Sequence, residues 1–438
     1  VARLDVTSTR SFRSVLTFLT AAGVLAVLLI LSSTTRGEDP APGPDLEAFQ
    51  AAKQAYFRNP QEAAGLFRTF IETYRDSEWT PEAYYWLAKS LETAKADRAE
   101  VLKAYTYFLR RYPNHKLCDE ATFAIAEIYR NRRIEKDDLS RALDRYEKFI
   151  KSYPDSDRVP EAWFKMGDVQ VAQRQYDRAL EAFGKVIHDY AESPFVVPAK
   201  MGLADCLMRM QRYDDAITGF NELLKLSLTD WDELRVRLGL LNCYLKTNRL
   251  DEALAEANRI RSEADQQGHQ QDWAALSSYR MVADHYQNTK EYDKAVGELK
   301  AYIERFPNSD GVWTARSSLA GIYISAGKLN DARTELQGIV NNAPHAGDKS
   351  PPDQVLYAMY RLAYLRELEK DYPEAIRLYQ QLTEKYPESQ RGKQAKKRAE
   401  ELTKQLQEKP AEKAPEKAPE KPAAKPAEKP AEKTPATK

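Results

Sequence analysis

Tyr176-Asp177-Arg178-Ala179-Leu180 returns 37 residues later as Tyr213-Asp214-Asp215-Ala216-Ile217. It returns again as Leu250-Asp251-Glu252-Ala253-Leu254, Tyr292-Asp293-Lys294-Ala295-Val296, Leu329-Asn330-Asp331-Ala332-Arg333 and Tyr372-Pro373-Glu374-Ala375-Ile376. Upstream, Leu139-Ser140-Arg141-Ala142-Leu143 and Pro60-Gln61-Glu62-Ala63 fit the same frame, and Arg98-Ala99-Glu100-Val101 fits it more loosely. The anchors of these motifs (60, 98, 139, 176, 213, 250, 292, 329 and 372) lie 37 to 43 residues apart. A fixed period of that size marks a repeat architecture, in which each unit buries its apolar face only against its neighbours.

Each unit follows helical logic. Seven residues after the anchor stands a large apolar residue in most copies: Phe67, Tyr105, Tyr146, Phe183, Phe220, Leu299, Leu336 and Tyr379, with Ala257 in the sixth. Ten and eleven after it come pairs such as Phe70-Ile71, Phe108-Leu109, Phe149-Ile150 and Tyr302-Ile303. Spacings of 3, 4 and 7 place these side chains on one helical face. The small residue three after the anchor predicts close approach by a second helix. Pro113, Pro154, Pro307, Pro344 and Pro387, each fifteen after an anchor, end the helix, because proline cannot continue it. Tyr112-Pro113-Asn114 and Tyr153-Pro154-Asp155-Ser156 then read as turns.

The composite pattern resembles the tetratricopeptide repeat (TPR). Its Trp…Leu-Gly…Tyr…Ala…Phe frame is clearest in the fourth unit, as Trp163, Met166-Gly167, Tyr176, Ala179 and Phe183, with Ala191 where proline is usual. Ala204, Ala283, Ala320 and Ala363 stand at the glycine position elsewhere, and the sixth unit has Leu241 there. The Tyr-Pro-(Asp/Asn/Glu)-Ser linker resembles that of bacterial envelope TPR proteins, namely the TPR lipoprotein of the outer-membrane barrel-assembly machine and the periplasmic coordinator of the Tol–Pal system. The resemblance implies an all-α superhelical solenoid of about nine helix-turn-helix repeats. It implies a non-enzymatic scaffold that takes protein or peptide partners along the first helices of the repeats, in outer-membrane protein assembly or in cell-division and envelope coordination. The alternative is a TPR accessory subunit docking to an envelope polysaccharide or peptidoglycan enzyme. Carried by register, the family's groove positions are Tyr357, Tyr360 and Tyr364 in the ninth unit, Phe164 and Asp168 in the fourth, Met201, Asp205 and Met208 in the fifth, and Arg280 and Asp284 in the seventh. Packing between repeats, or a core methionine, fits the same spacings. The family's clamp for a partner's terminal carboxylate needs Lys and Asn on neighbouring repeats; Asn242 and Lys246 approach it but share one unit, so chaperone C-termini are not expected.

Composition agrees with helices. Glycine is 17 of 438 residues, and each glycine in a helix costs about 1 kcal/mol relative to alanine. The chain has 66 Lys+Arg and 66 Asp+Glu, giving zero formal charge, which argues against a dedicated nucleic-acid binder. Cys118, Cys206 and Cys243 make no disulfide framework. Cys206 and Cys243 occupy one register site in adjacent units and read as small core residues. The five histidines have no metal-ligand spacing. No phosphate loop, nucleophile elbow or Ser/His/Asp set is recognisable, so no catalytic residue, cofactor or metal is expected.

Four segments follow. Residues 1–37 hold Arg3, Arg10 and Arg13 ahead of the uncharged apolar run from Val15 to Leu31. Positive charge before such a run sends the following chain across a membrane. Its length suits either a cleaved signal peptide or a retained inner-membrane anchor, and both imply an exported, periplasmic body. Residues 38–44 are a Pro-rich linker, and 45–407 the solenoid. Residues 408–438 are Ala, Lys, Pro and Glu with seven prolines, which forbid a stable helix and favour a disordered, polyproline-like chain. That tail reads as a spacer, a solubilising segment or a weak ligand for anionic envelope polymer. The zero charge is thus a sum: four Arg and one Asp make the first 37 residues +3, eight Lys and six Glu make the tail +2, and the repeats carry the balancing −5.

Overall fold

A computed structural model describes residues 43–131, 134–267, 272–344 and 351–408. The apolar run 15–31, nearly all of the Pro-rich linker and the tail from 409 onward lie outside the described residues. Among the described residues there are nineteen helices and no strand. None of these helices is long and apolar enough to cross a membrane.

The chain divides into two compact units, meeting between Cys206 and Leu207. The first contains α1 (Pro44–Arg58), α2 (Pro60–Thr73), α3 (Thr80–Thr93), α4 (Arg98–Arg111), α5 (Cys118–Asn131), α6 (Asp138–Ser152), α7 (Val159–Ala172) and α8 (Tyr176–Asp189), and most of α9 (Val196–Arg209). The second contains α10 (Tyr213–Leu223), α11 (Asp230–Lys246), α12 (Leu250–Gln267), α13 (Asp272–Asn288), α14 (Tyr292–Arg305), α15 (Gly311–Ser325), α16 (Leu329–Asn342), α17 (Asp353–Leu368), α18 (Tyr372–Lys385) and α19 (Gln390–Glu408). Eight of the nine sequence anchors are the first residue of a helix, and Leu139 is the second residue of α6. The anchor motif therefore opens the second helix of every pair. The last helix, α19, follows the ninth pair and packs on α18 and α17.

Seven of the nine pairs close through the same turn. Lys95, Arg174, Gln211, Asn248, Lys290, Gly327 and Lys370 have φ between 57° and 73°. The residue after each donates its N–H five positions back, as Gln175 does to the Gln170 carbonyl at 2.8 Å and Lys328 to that of Tyr323 at 2.8 Å. This six-to-one bond satisfies a carbonyl that the helix end leaves open. Proline is not needed to stop these first helices; the left-handed residue does it.

Between pairs, a second device recurs. Tyr74, Tyr153, Tyr190, Phe306 and Tyr386 end the second helices, and the serine three residues on donates its N–H back to their carbonyls at 2.9–3.2 Å. The same serines, Ser77, Ser156, Ser193, Ser309 and Ser389, then accept an N–H two or three residues ahead. His115 fills this place in the second linker, its Nδ1 accepting from Leu117 N at 3.2 Å. Ser77 and Ser156 also donate to Asp45 and Asp119 at the start of the preceding first helix. The linker thus ties one repeat to the one before it.

The core is the face the anchors define. Ala63, Ala142, Ala179, Ala216, Ala253, Ala295, Ala332 and Ala375 are all fully buried, as is Val101 in the same register. So are the residues four further on, from Phe67 through Tyr379. Burying each such ring contributes about 1.5–3 kcal/mol. Tyrosines here also solve a polar problem. Tyr105 donates to Glu92 at 2.7 Å, Tyr146 to Glu127, and Tyr379 to Glu367 at 3.3 Å, so the buried hydroxyl is paired. All three cysteines are buried; Cys118 donates to the Tyr112 carbonyl at 3.0 Å, and burial pushes its thiol pKa up.

Candidate functional site

The sequence-selected groove residues lie on the first helices of the pairs, and the structure treats them unequally. In the first unit, Phe164 on α7 packs against Phe183 and Phe195, with ring centroids 5.8 and 5.7 Å away. Met201 is 5% exposed. Met201 is therefore a core side chain, whereas Phe164 is half-buried and packs onto the cluster around Phe183. Asp168 and Asp205 are half-buried.

The same first-helix edge carries a charge ladder that sequence reasoning missed. Glu82, Glu120 and Glu161 are each the third residue of their helix, α3, α5 and α7. Glu82 meets Lys53 at 3.3 Å and Lys116 at 3.5 Å, and accepts from the Trp86 indole at 3.1 Å. Arg158 bridges Glu120 at 2.6 Å and Glu161 at 2.9 Å while its guanidinium lies 3.6 Å from the Phe123 ring centre. Burial alone would raise the Glu82 carboxyl, but the Trp86 indole, Lys53 and Lys116 outweigh it and hold the pKa below the usual range. The signal in the sequence was a glutamate at one register position in three consecutive units.

In the second unit, Met208 is half-buried and receives the Asn242 amide at 3.2 Å. Asn242 is thereby engaged within the protein, and Lys246 is exposed. Arg280 and Asp284 are exposed on one face of α13. Desolvation by the surrounding helices raises the Asp284 carboxyl pKa, and Arg280 opposes that rise.

The ninth pair holds the densest arrangement. Tyr357, Tyr360 and Tyr364 on α17 are all half-buried, but their neighbours differ. Tyr360 lies 5.1 Å from the ring of buried Tyr379 on α18 and belongs to the core. Tyr357 and Tyr364 face Arg361, whose guanidinium is 5.7 and 5.2 Å from their ring centres. Arg391 on α19 adds a second guanidinium 5.1 Å from Tyr357, with Asp353 at 3.9 Å. The Arg391 Nε is buried with no hydrogen-bond partner among the described residues. Two cations thus rest on aromatic faces, a contact worth about 0.5–2 kcal/mol. Such a surface suits a segment that offers carboxylates beside apolar side chains. No sequence pattern singles out Arg361 and Arg391: one is an ordinary charged helix residue, the other follows the last repeat.

One acidic cluster, Glu135, Asp137 and Asp138, brings three carboxylates together. The Asp138 carboxylate is already committed. It takes both Arg98 nitrogens at 2.6 and 2.7 Å and the N–H groups of Ile134 and Glu135 at 2.8 Å.

Comparison with known proteins agrees with the repeats. One family model described as tetratricopeptide repeat matches residues 164–230 and 209–269, and a second matches 120–156, 271–309 and 357–389. No curated protein sequence matches the chain. Solved structures that resemble it include a tetratricopeptide repeat protein from Parabacteroides merdae, at 13% identity and a TM-score of 0.39, covering 65% of this chain and 98% of that one. Another is the C-terminal part of a TPR repeat-containing protein from Cytophaga hutchinsonii, at 14% identity and a TM-score of 0.48, covering 61% and 98%. Yeast Tom70 is similar at 14% identity and a TM-score of 0.37, covering 85% of this chain and 67% of that one. The family matches, falling on helix pairs with the register described above, make this chain a tetratricopeptide-repeat protein, whose repeats form a scaffold for protein–protein interaction.

Proposed function

We propose that this protein is a non-enzymatic scaffold of the bacterial cell envelope that captures a protein segment on the first helices of its second unit. The observation that carries the reading is the surface of Tyr357, Arg361, Tyr364 and Arg391, where two guanidinium groups lie on half-buried tyrosine rings. It favours an extended or helical segment presenting Asp, Glu or a terminal carboxylate next to apolar residues. Export is supported by Arg3, Arg10 and Arg13 ahead of the apolar run from Val15 to Leu31. The Tyr-Pro-Asp-Ser type of linker, with its serine cap, supports placement beside envelope proteins that serve outer-membrane assembly or division.

Two experiments test this. A periplasm-dependent reporter fused after residue 40 is expected to be active; a fusion active only in the cytoplasm removes the envelope reading. Affinity capture from membranes is expected to recover a partner that is lost with the combined variant Tyr357→Ala, Arg361→Ala, Tyr364→Ala. An unchanged partner set removes the proposed contact surface.

A further inference from the structure

One position on the first helices holds a tyrosine in four of the repeats and a buried glutamine in the fourth repeat. Counting from the start of the first helix, the twelfth residue is Tyr129 in α5 and Gln170 in α7. Six residues before the anchor, the same register position holds Tyr244, Tyr286 and Tyr323 in the sixth, seventh and eighth units. Tyr129 packs against the cores of both its own repeat and the preceding one. In two of these repeats a cation two residues after the anchor covers the tyrosine. The Arg141 guanidinium lies 5.9 Å from the Tyr129 ring centre, and Lys294 Nζ lies 5.3 Å from that of Tyr286.

In the fourth repeat the cation is retained, as Arg178, but the ring is not. A cleft of about 490 Å³ opens in its place. Leu143, Ile150, Trp163, Met166 and Ala182 form its apolar wall, Arg178 and Gln170 also line it, and the charged Glu147, Lys151 and Glu181 complete it. Gln170 is only 8% exposed, and its Oε1 is buried with no hydrogen-bond partner. An unpaired buried amide of this kind costs about 1–3 kcal/mol. An apolar wall, a cation placed for an aromatic face and one unanswered polar atom describe a receptor for a phenol ring.

We propose that this cleft, between α6 and α8 over α7, is a second docking site, and that it takes a tyrosine side chain delivered by a partner protein. The ring would occupy the volume that Tyr129 fills one repeat earlier. Its hydroxyl both donates and accepts, so it pairs with the Gln170 amide in either orientation. Arg178 lies over its face. The site is on the second-helix side of the repeats, separate from the tyrosine–arginine surface of α17.

The test uses the full chain with methionine methyl groups labelled with ¹³C, the Met166 signal being assigned with Met166→Leu. The probe is p-cresol, with toluene as the analogue lacking the hydroxyl. A saturable ring-current shift of Met166 is expected with p-cresol, at an affinity about five- to tenfold above that of toluene, as one hydrogen bond to a buried group predicts. Gln170→Tyr, which restores the internal ring, is expected to abolish the shift and to raise the thermal midpoint. A Met166 signal unmoved by p-cresol overturns the proposal. So does equal affinity for toluene, which would mean a merely apolar crevice, or persistence of binding in Gln170→Tyr.

Discussion

The Phe183 ring is clasped between Gly167 of its own repeat and Gly202 of the next. A Cβ added at Gly167 would stand 2.5 Å from the ring, and one at Gly202 2.6 Å from it. The ring is fully buried, so it has nowhere to retreat. Gly167→Ala and Gly202→Ala are each expected to lower stability by about 1–3 kcal/mol through overpacking, although alanine is the better helix former by about 1 kcal/mol. Gly184 is the internal control: it lies one residue after Phe183 in the same helix, and nothing stands within 4 Å of its added Cβ. Gly184→Ala is expected to gain about 0.5–1 kcal/mol. Urea midpoints of the three variants check both signs at once.

The Arg98–Asp138 pair ties the second helices of consecutive repeats, α4 and α6. Both side chains are buried, and the bond is bidentate at 2.6 and 2.7 Å. The Arg98 hydrogen bonds, followed by those of the Glu135 and Ile134 backbone, hold the Asp138 carboxyl down at about 2 from an ordinary 3.8. A depressed carboxyl pKa stabilises the fold above the unfolded-state value and loses that contribution as pH falls through the folded value. Asp138→Asn is expected to cost about 3–5 kcal/mol at neutral pH, because it leaves Arg98 buried without its counter-charge. The gap between variant and parent should then narrow as pH falls from about 4 toward 2. Chemical denaturation at pH 7, 4 and 2.5 measures it; a gap constant across that window would assign the loss to packing instead.

The turns that close the pairs store strain that can be relieved. Arg174, Gln211, Lys290 and Lys370 sit at φ between 60° and 64°, where a side-chain-bearing residue pays about 1–2 kcal/mol. Arg174→Gly and Lys290→Gly are expected to stabilise by about 0.5–1 kcal/mol, the relief less the extra chain entropy glycine loses on folding. Gly327, at 73°, is the reverse case, and Gly327→Ala should destabilise by about 1 kcal/mol. Thermal midpoints rank the three.

These examples also show why some features could be read from the chain and others could not. The helix pairs were legible because Ala179 and Phe183, four residues apart, repeat with the same spacing through nearly every unit, and packing has one solution for that pattern. The left-handed turns were hidden, since only Gly327 and Asn248 are residue types that favour positive φ. Arg174 and Lys290 adopt it because the six-to-one bond and the packing of both helices outweigh their local preference. The serine-capped linkers were visible as turn residues, but their ties to Asp45 and Asp119 cross 32 and 37 residues, and no local pattern reports such a pairing. Gln170 was visible only as a departure from tyrosine; its cleft needed Arg178 and Trp163 to be placed around it.

The three tyrosines of α17 give the last prediction, because helical spacing alone made them equivalent. Tyr357, Tyr360 and Tyr364 share a stripe, but a stripe wide enough to span the seam has a buried edge and an open one. Tyr360 rests on the Tyr379 ring at 5.1 Å, inside the cluster that joins α17, α18 and α19. Tyr364 rests on Arg361, a half-buried cation at 5.2 Å. Removing the first ring opens a cavity, whereas removing the second mostly exchanges a cation–π contact for water. Tyr360→Ala is therefore expected to cost about 2–4 kcal/mol, and Tyr364→Ala no more than about 1 kcal/mol. Denaturant midpoints separate the two variants without any partner in hand. If Tyr364→Ala proved as damaging as Tyr360→Ala, both rings would be structural and Arg361 would be part of a core seam. If the order holds, a loss of partner binding in Tyr364→Ala reports recognition and not unfolding, and this makes Tyr364 the sound substitution for probing the groove.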